Sequence, residues 1–309
     1  MFHYKKKNNM TKLLVTGGHG LVGSSITADF KVGREFDLTN FDETQKMFEK
    51  YKPKQVIHCA GKVGGVGGNM NYKGEYFYDN IMINTNVIEA ARKNGVEKLV
   101  SFLSTCVFPD NIEYPLTESK IHLGEPHNSN YPYAYAKRMA DIQIRAYREQ
   151  YGLNYVSVIP TNIYGPNDNF SLSQGHVMPM LIHKLYLAQK NNTDFTVWGS
   201  GNPLREFIFS KDVAKLSEWA VNHYNESEPI IFTTSNEISI KDLVDLLVKE
   251  FNFKGKVNFD SSKPDGQFRK PSDNSKLKSY LPDFQFTPIE EGIKETVSWF
   301  IKNYENARK

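Results

Sequence analysis

The sequence predicts an α/β protein built on a doubly wound parallel sheet, and three features predict it. Short apolar runs ending near glycine or serine recur in the first half of the chain, at Lys12-Leu13-Leu14-Val15-Thr16, Gln55-Val56-Ile57-His58-Cys59-Ala60-Gly61 and Glu97-Lys98-Leu99-Val100-Ser101-Phe102-Leu103. Such runs suit strands buried on both faces of a parallel sheet. Segments of helical spacing lie between them, which is the pattern of parallel crossover units. Past Pro166 the alternation breaks down, which marks a second, smaller unit.

The chain has 309 residues, enough for one large α/β unit or two closely joined domains. Acids and bases nearly balance, at a formal net charge of +3, so there is no basic stripe of the kind nucleic acid needs. The longest basic run, Lys5-Lys6-Lys7, reads as a solvated terminus, and residues 1–11 are expected to be a disordered extension. No apolar run approaches the roughly 18 residues of a membrane span, and no signal-peptide pattern opens the chain. Two cysteines, Cys59 and Cys106, make no disulfide framework. A reducing compartment, hence a cytoplasmic location, is expected. No metal site, internal repeat or low-complexity segment is predicted.

The first strand runs into Gly17-Gly18-His19-Gly20-Leu21-Val22-Gly23 and then Ser24-Ser25-Ile26-Thr27-Ala28, read as a tight turn followed by a helix start. Glycines there let backbone approach a pyrophosphate, and a new helix aims N–H groups at it. The second strand, Lys31-Val32-Gly33, ends at Arg34 and Glu35, which point in opposite directions. An acidic residue there favours a ribose hydroxyl and an arginine a 2′-phosphate, so these residues leave the dinucleotide undecided. A helix begins after Asp37-Leu38-Thr39, with Asn40 and Asp42 as candidate caps. Gly64-Gly65-Val66-Gly67-Gly68 reads as a flexible loop. Asp79 to Asn94 is helical, capped by Gly95.

The strand of residues 97–103 ends at Ser104-Thr105-Cys106, where ligands of open α/β sheets bind. A helix from Tyr133 to Tyr151 places Tyr133 and Lys137 at i and i+4, on one face. An ammonium beside a phenol favours the phenolate, so Lys137 is expected to lower the Tyr133 pKa from its usual value of about 10. Gly152 precedes a strand, Asn154 to Ile159, and the loop Pro160-Thr161-Asn162-Ile163 follows at its carboxyl end. An amphipathic helix is expected over Met180 to Gln189, and further helices over Lys241 to Glu250 and Ile289 to Asn303. Domain boundaries are placed at 12–166, with 206–232 returning to it, and at 167–205 plus 233–309.

The words Thr16-Gly17-x-x-Gly20-x-x-Gly23, the serine at a strand end and Tyr133-x-x-x-Lys137 are each weak alone. Together they resemble the extended short-chain dehydrogenase/reductase superfamily. That resemblance implies a Rossmann-type doubly wound parallel sheet with a smaller C-terminal α/β substrate domain, a nicotinamide dinucleotide and a nucleotide-sugar substrate. Longer words are similar to the GDP-L-fucose synthase family of 3,5-epimerase/4-reductases. They are Val63-Gly64-Gly65, Ser104-Thr105-Cys106-Val107-Phe108-Pro109, Pro132-Tyr133-Ala134-Tyr135-Ala136-Lys137, Ile159-Pro160-Thr161-Asn162-Ile163-Tyr164-Gly165-Pro166, Asp168-Asn169-Phe170, Gly175-His176-Val177, Val197-Trp198-Gly199-Ser200-Gly201, Arg205-Glu206-Phe207 and Pro264-Asp265-Gly266.

Inverting a carbon beside a ketone needs one group to take a proton from one face and another to return one to the other. A thiol and an imidazole, with ordinary pKa values of about 8.5 and 6.5, suit both directions. Cys106 and His176 are the candidates; the residues leave open which is acid, and the resemblance makes Cys106 the base. It also implies catalytic Ser104, Tyr133 and Lys137, with GDP-4-keto-6-deoxy-D-mannose as substrate and NADP(H) as cofactor. Cofactor contacts implied are Gly17, Gly18, His19, Gly20, Leu21, Val22, Gly23, Arg34, Lys137, Pro160, Thr161, Asn162, Ile163 and His176. Substrate contacts implied are Lys184, Trp198, Arg205, Asp265 and Lys270. Physically, Lys184 and Arg205 suit a diphosphate, and Trp198 offers an apolar wall. The resemblance further implies a homodimer through the helices near 84–94 and 133–151. The alternatives are an NAD-dependent nucleotide-sugar 4-epimerase and a non-catalytic dinucleotide-binding module.

Overall fold

The computed structural model describes residues 12–263 and 265–309; the expected extension at residues 1–11, and Pro264, lie outside the described residues. The strands are β1 (Leu13–Thr16), β2 (Phe30–Val32), β3 (Gln55–His58), β4 (Lys98–Phe102), β5 (Asn154–Pro160), β6 (Asn162–Tyr164), β7 (Phe195–Trp198), β8 (Leu204–Phe209), β9 (Ile230–Phe232), β10 (Glu237–Ser239) and β11 (Val257–Asp260). A six-stranded sheet of order β2-β1-β3-β4-β5-β9 forms the centre, and every pair in it is parallel. The chain leaves β1 toward one edge and returns on its other side at β3. That reversal is the crevice where open α/β sheets bind ligands.

The helices are α1 (Phe41–Tyr51), α2 (Val66–Asn71), α3 (Lys73–Lys93), α4 (Tyr131–Tyr151), α5 (Val177–Asn191), α6 (Ser210–His223), α7 (Ile240–Glu250), α8 (Ser275–Tyr280) and α9 (Ile289–Lys302). Alternate strand residues face opposite sides of the sheet. Thus Leu14, Val56 and Leu99 pack with Val87, Ile88 and Ile144 of α3 and α4, whereas Val15, Ile57 and Val100 pack with Val213 and Leu216 of α6. A third cluster joins α5, α7 and α9 through Leu181, Leu243 and Phe300, beside the sheet β10-β8-β6 and the pair β11-β7.

Three local expectations change. The glycine turn is not followed by an α-helix; one 3₁₀ turn, Gly23–Ser25, stands there. Serine and threonine are weak helix formers, and competing bonds draw this backbone elsewhere. Lys31 Nζ donates to the Ser24 carbonyl at 2.8 Å, and Glu218 accepts from Thr27 N at 2.6 Å. The glycine-rich stretch is not a loop throughout, because α2 begins at Val66 and α3 already starts at Lys73. Its glycines serve close packing: a Cβ on Gly67 would lie 2.8 Å from the Ser173 carbonyl, and Gly65 N donates to the Gln174 carbonyl at 2.8 Å. Asn40 caps α1, accepting from Glu43 N at 3.1 Å.

Candidate active site

The carboxyl ends of β1, β3 and β4 meet in register, with Thr16 opposite His58 and His58 opposite Ser101. A buried polar chain ties them together. Thr16 Oγ1 and His58 Nδ1 are 2.7 Å apart, and His58 Nε2 lies 3.1 Å from Asn84 Oδ1. Burial pushes the His58 imidazole down to about 3, so it stays neutral. Beside this chain Gly17 takes a φ of +67°, and a Cβ there would sit 2.9 Å from Ala60 N, so glycine is required. The N–H groups of Leu21 and Val22 have no protein acceptor among the described residues. At the end of β2, Glu35 accepts from Gly33 N at 2.8 Å, which folds its carboxylate onto its own loop. Arg34 is left exposed beside it, and the exposed His19 ring packs near Gly33. Open N–H groups and an exposed guanidinium fit a dinucleotide that carries an extra phosphate. After β5, Thr161 N donates to the Phe232 carbonyl at 3.1 Å and Asn162 Nδ2 to the Glu206 carbonyl at 2.7 Å. These bonds fix Thr161 between the end of β5 and the start of β6, so the loop expected over Pro160-Thr161-Asn162-Ile163 is two strand ends joined by one residue.

Ser104 follows β4 and caps a 3₁₀ turn, Thr105–Val107, through its hydroxyl, which accepts from Cys106 N at 3.4 Å. From the other side α4 supplies Tyr133, which is only 5% exposed. Burial pushes its phenol well above the usual range; nearby Cys106 and Tyr76 add to this, and the neighbouring Ser104 hydroxyl opposes it. The expectation that Lys137 tunes the phenol downward is therefore corrected. Lys137 Nζ donates to the Phe102 carbonyl at 2.9 Å, and burial brings its own pKa down to about 8. Desolvation dominates at the phenol, so Tyr133 stays a protonated donor.

His176 reaches this region on the segment that leads into α5, of which it is the N-cap residue. Tyr76 makes the connection. Its ring meets Tyr133 edge-on at 6.5 Å, and its hydroxyl lies against Gly64 and Gly68, which pack on residues 173–175. Burial, with Arg308 nearby, holds the His176 imidazole below its ordinary value. Sequence reasoning missed Arg308, which stands far away in the chain. Its carbonyl accepts from Phe170 N at 2.8 Å, burial lowers its pKa, and Asp168, Arg34 and Tyr76 act on its charge. Asp168 is buried, with Oδ2 unpartnered, and burial pushes its carboxyl up to about 7.

The expected substrate contacts form a second group. Lys184 Nζ stands over the Trp198 ring, 4.2 Å from its centroid, and Trp198 is 56% exposed, a wall and not a core residue. Arg205 Nη1 donates to the Leu204 carbonyl at 2.7 Å, and burial lowers its pKa. Asp265 is tied up, accepting from Ser200 N at 2.6 Å and from Ser200 Oγ at 2.8 Å, so it braces the Gly199–Gly201 turn. Lys270 joins the two groups: burial lowers its pKa, and both Cys106 and Arg205 act on its charge.

The chain is similar to known proteins along nearly its whole length. The model of the NAD dependent epimerase/dehydratase family matches residues 13–233. A GDP-L-fucose synthase of Dictyostelium discoideum is 51% identical, the match covering 96% of this chain and 97% of that one. A probable GDP-L-fucose synthase of Drosophila melanogaster is 44% identical over 97% and 100% of the two chains. A crystal structure of a GDP-L-fucose synthetase from Naegleria fowleri bound to NADP superposes with a TM-score of 0.92 at 47% identity, covering 97% of this chain and 95% of that one. The chain therefore belongs to the NAD dependent epimerase/dehydratase family, within its GDP-L-fucose synthase branch.

Proposed function

We propose that this protein converts GDP-4-keto-6-deoxy-D-mannose to GDP-L-fucose, by epimerisation at C3 and C5 and then NADPH-dependent reduction at C4. The observation that carries this reading is the meeting of Ser104, Cys106 and Tyr133 at the carboxyl end of β4, beside a dinucleotide-type glycine turn. Ser104 and Tyr133 donate hydrogen bonds to the C4 oxygen. A phenol kept protonated by burial is suited to this, because it stabilises the enolate that forms when C3 or C5 loses a proton. Cys106 removes that proton as base and His176 returns one to the opposite face, as the family resemblance suggests. NADPH, when bound along the glycine turn, supplies hydride for C4. Tyr133 then gives its proton to the C4 oxygen, and Lys137 holds the phenol and a cofactor ribose in place. Arg34 takes the 2′-phosphate, since Glu35 is turned onto Gly33. Lys184, Arg205 and Trp198 hold the GDP portion, and Lys270 lies between that group and Cys106.

In this reading residues 12–166 with 206–232 hold the cofactor, and residues 167–205 with 233–309 hold the substrate. The protein is a homodimer in the cytoplasm. Supporting the dimer, α3 and α4 pack together and expose Phe77, Tyr78, Tyr131, Met139 and Ile142. The decisive experiment is incubation with GDP-4-keto-6-deoxy-D-mannose and NADPH. Loss of reduced-cofactor absorbance and recovery of GDP-L-fucose is the expected outcome; interconversion at C4 without net oxidation of cofactor refutes the reading.

A further inference from the structure

Asn130 occupies the N-cap of α4, three residues before Tyr133, and its side chain makes no cap hydrogen bond. Asparagine is among the best N-cap residues because its oxygen accepts from an N–H of the first turn. Here the side chain turns away from the helix. Its Nδ2 donates to Cys106 Sγ at 3.0 Å, and its Oδ1 is buried without a hydrogen-bond partner among the described residues. The residue gives up two favourable interactions, a helix cap and a satisfied carbonyl, and retains the contact with sulfur. Local helix stability does not explain that choice.

We propose that Asn130 is a positioning residue that aims the Cys106 sulfur at the substrate and stabilises it as the thiolate. An amide N–H is a donor only, and donation to an acceptor is strengthened when the acceptor carries charge. The bond therefore favours the ionised sulfur, the form able to take a proton from carbon. Tyr133 of α4 and Lys270 of the C-terminal segment are the other titratable groups near this sulfur. The phenol is protonated and neutral, so it does not repel a thiolate. The inference rests on the reading of Cys106 as the proton-transfer group, and it assigns Cys106 the role of resting base.

The test uses Asn130→Ser and Asn130→Asp, both good cap residues. Each protein is treated with iodoacetamide across a pH series, and alkylation of Cys106 is followed by peptide mass analysis. Cys59 does not interfere, since burial pushes its thiol up to about 12. The expected result is an alkylation midpoint raised by about one pH unit in Asn130→Ser, a tenfold loss of thiolate at neutral pH, and raised further in Asn130→Asp, whose carboxylate repels the thiolate. Resistance to urea should be unchanged or higher in both, because the cap is restored. Solvent deuterium uptake at C3 and C5 of the substrate should fall about tenfold in Asn130→Ser and recover at higher pH. Unaltered midpoints in both variants overturn the proposal, as does lower urea resistance in both with the midpoint kept. Cys106→Ser is run in parallel: if it exchanges deuterium at the full rate, the catalytic reading of Cys106 fails, whereas a silent Asn130 pair beside an inactive Cys106→Ser sinks this inference alone.

Discussion

Lys137→Met separates the proposed catalytic role of Lys137 from its effect on stability, because the two have opposite signs. The ammonium is 3% exposed, its one hydrogen bond among the described residues goes to the Phe102 carbonyl at 2.9 Å, and burial brings it from 10.5 down to about 8. A depressed lysine means that the folded state binds the proton less well than the unfolded chain does. The cost is complete below about pH 8 and fades as pH rises toward about 10.5, where the unfolded chain also loses its proton. The gap corresponds to about 3 kcal/mol. Methionine fills a similar volume without charge, and the lost hydrogen bond removes about 1 kcal/mol. At about pH 7 the variant should thus be more stable by roughly 2 kcal/mol, while turnover disappears. Equilibrium urea unfolding of both proteins from about pH 7 to pH 10.5 measures this. The advantage should shrink steadily with pH and reverse by about 1 kcal/mol once the native lysine has lost its penalty. A gap that stays constant across the range, or a variant that still turns over, refutes the reasoning.

Three further outcomes are expected. Arg308→Gln keeps the main-chain bond to Phe170 but removes a cation near His176, so the His176 pKa should rise. The limb of the epimerisation pH profile that reports His176 should then move to higher pH; an unmoved limb counts against the placement of Arg308. The Asp168 carboxyl, pushed up to about 7 by burial, keeps its proton in the fold while the unfolded chain loses it near 3.8. Wild-type stability should therefore fall as pH rises from about 4 to 7, and Asp168→Asn should flatten that slope in urea titrations. Lys184→Met removes the cation over Trp198 and should raise the KM for the GDP-sugar about tenfold, about 1.4 kcal/mol, with kcat nearly kept; a purely kcat effect would place Lys184 at the reacting carbons.

Much was legible from residues alone because it depends on short-range rules. Apolar runs marked β1, β3, β4 and β5, since a strand buried on both faces needs uninterrupted hydrophobic residues. Helical spacing placed Tyr133 and Lys137 on one helix, and a glycine was identified where φ is positive at Gly17. The words around Ser104, Cys106 and His176 pointed to one chemistry before any geometry was known.

Tertiary structure decided what depends on partners distant in the chain. The Ser24–Thr27 stretch has a helix-start pattern, yet Lys31 and Glu218 claim its backbone, and a single 3₁₀ turn remains. The glycines of residues 64–68 looked like a flexible loop, but they exist so that residues 173–175 and Tyr76 can approach closely. Spacing suggested that Lys137 would ionise Tyr133, whereas burial reverses the direction, because desolvation depends on everything packed around the phenol. Arg308 and Asn130 carry no motif of their own; only the folded chain brings them to Asp168 and Cys106. Periodicity and local geometry are written residue by residue, whereas solvent exclusion and long-range pairing are properties of the packed whole.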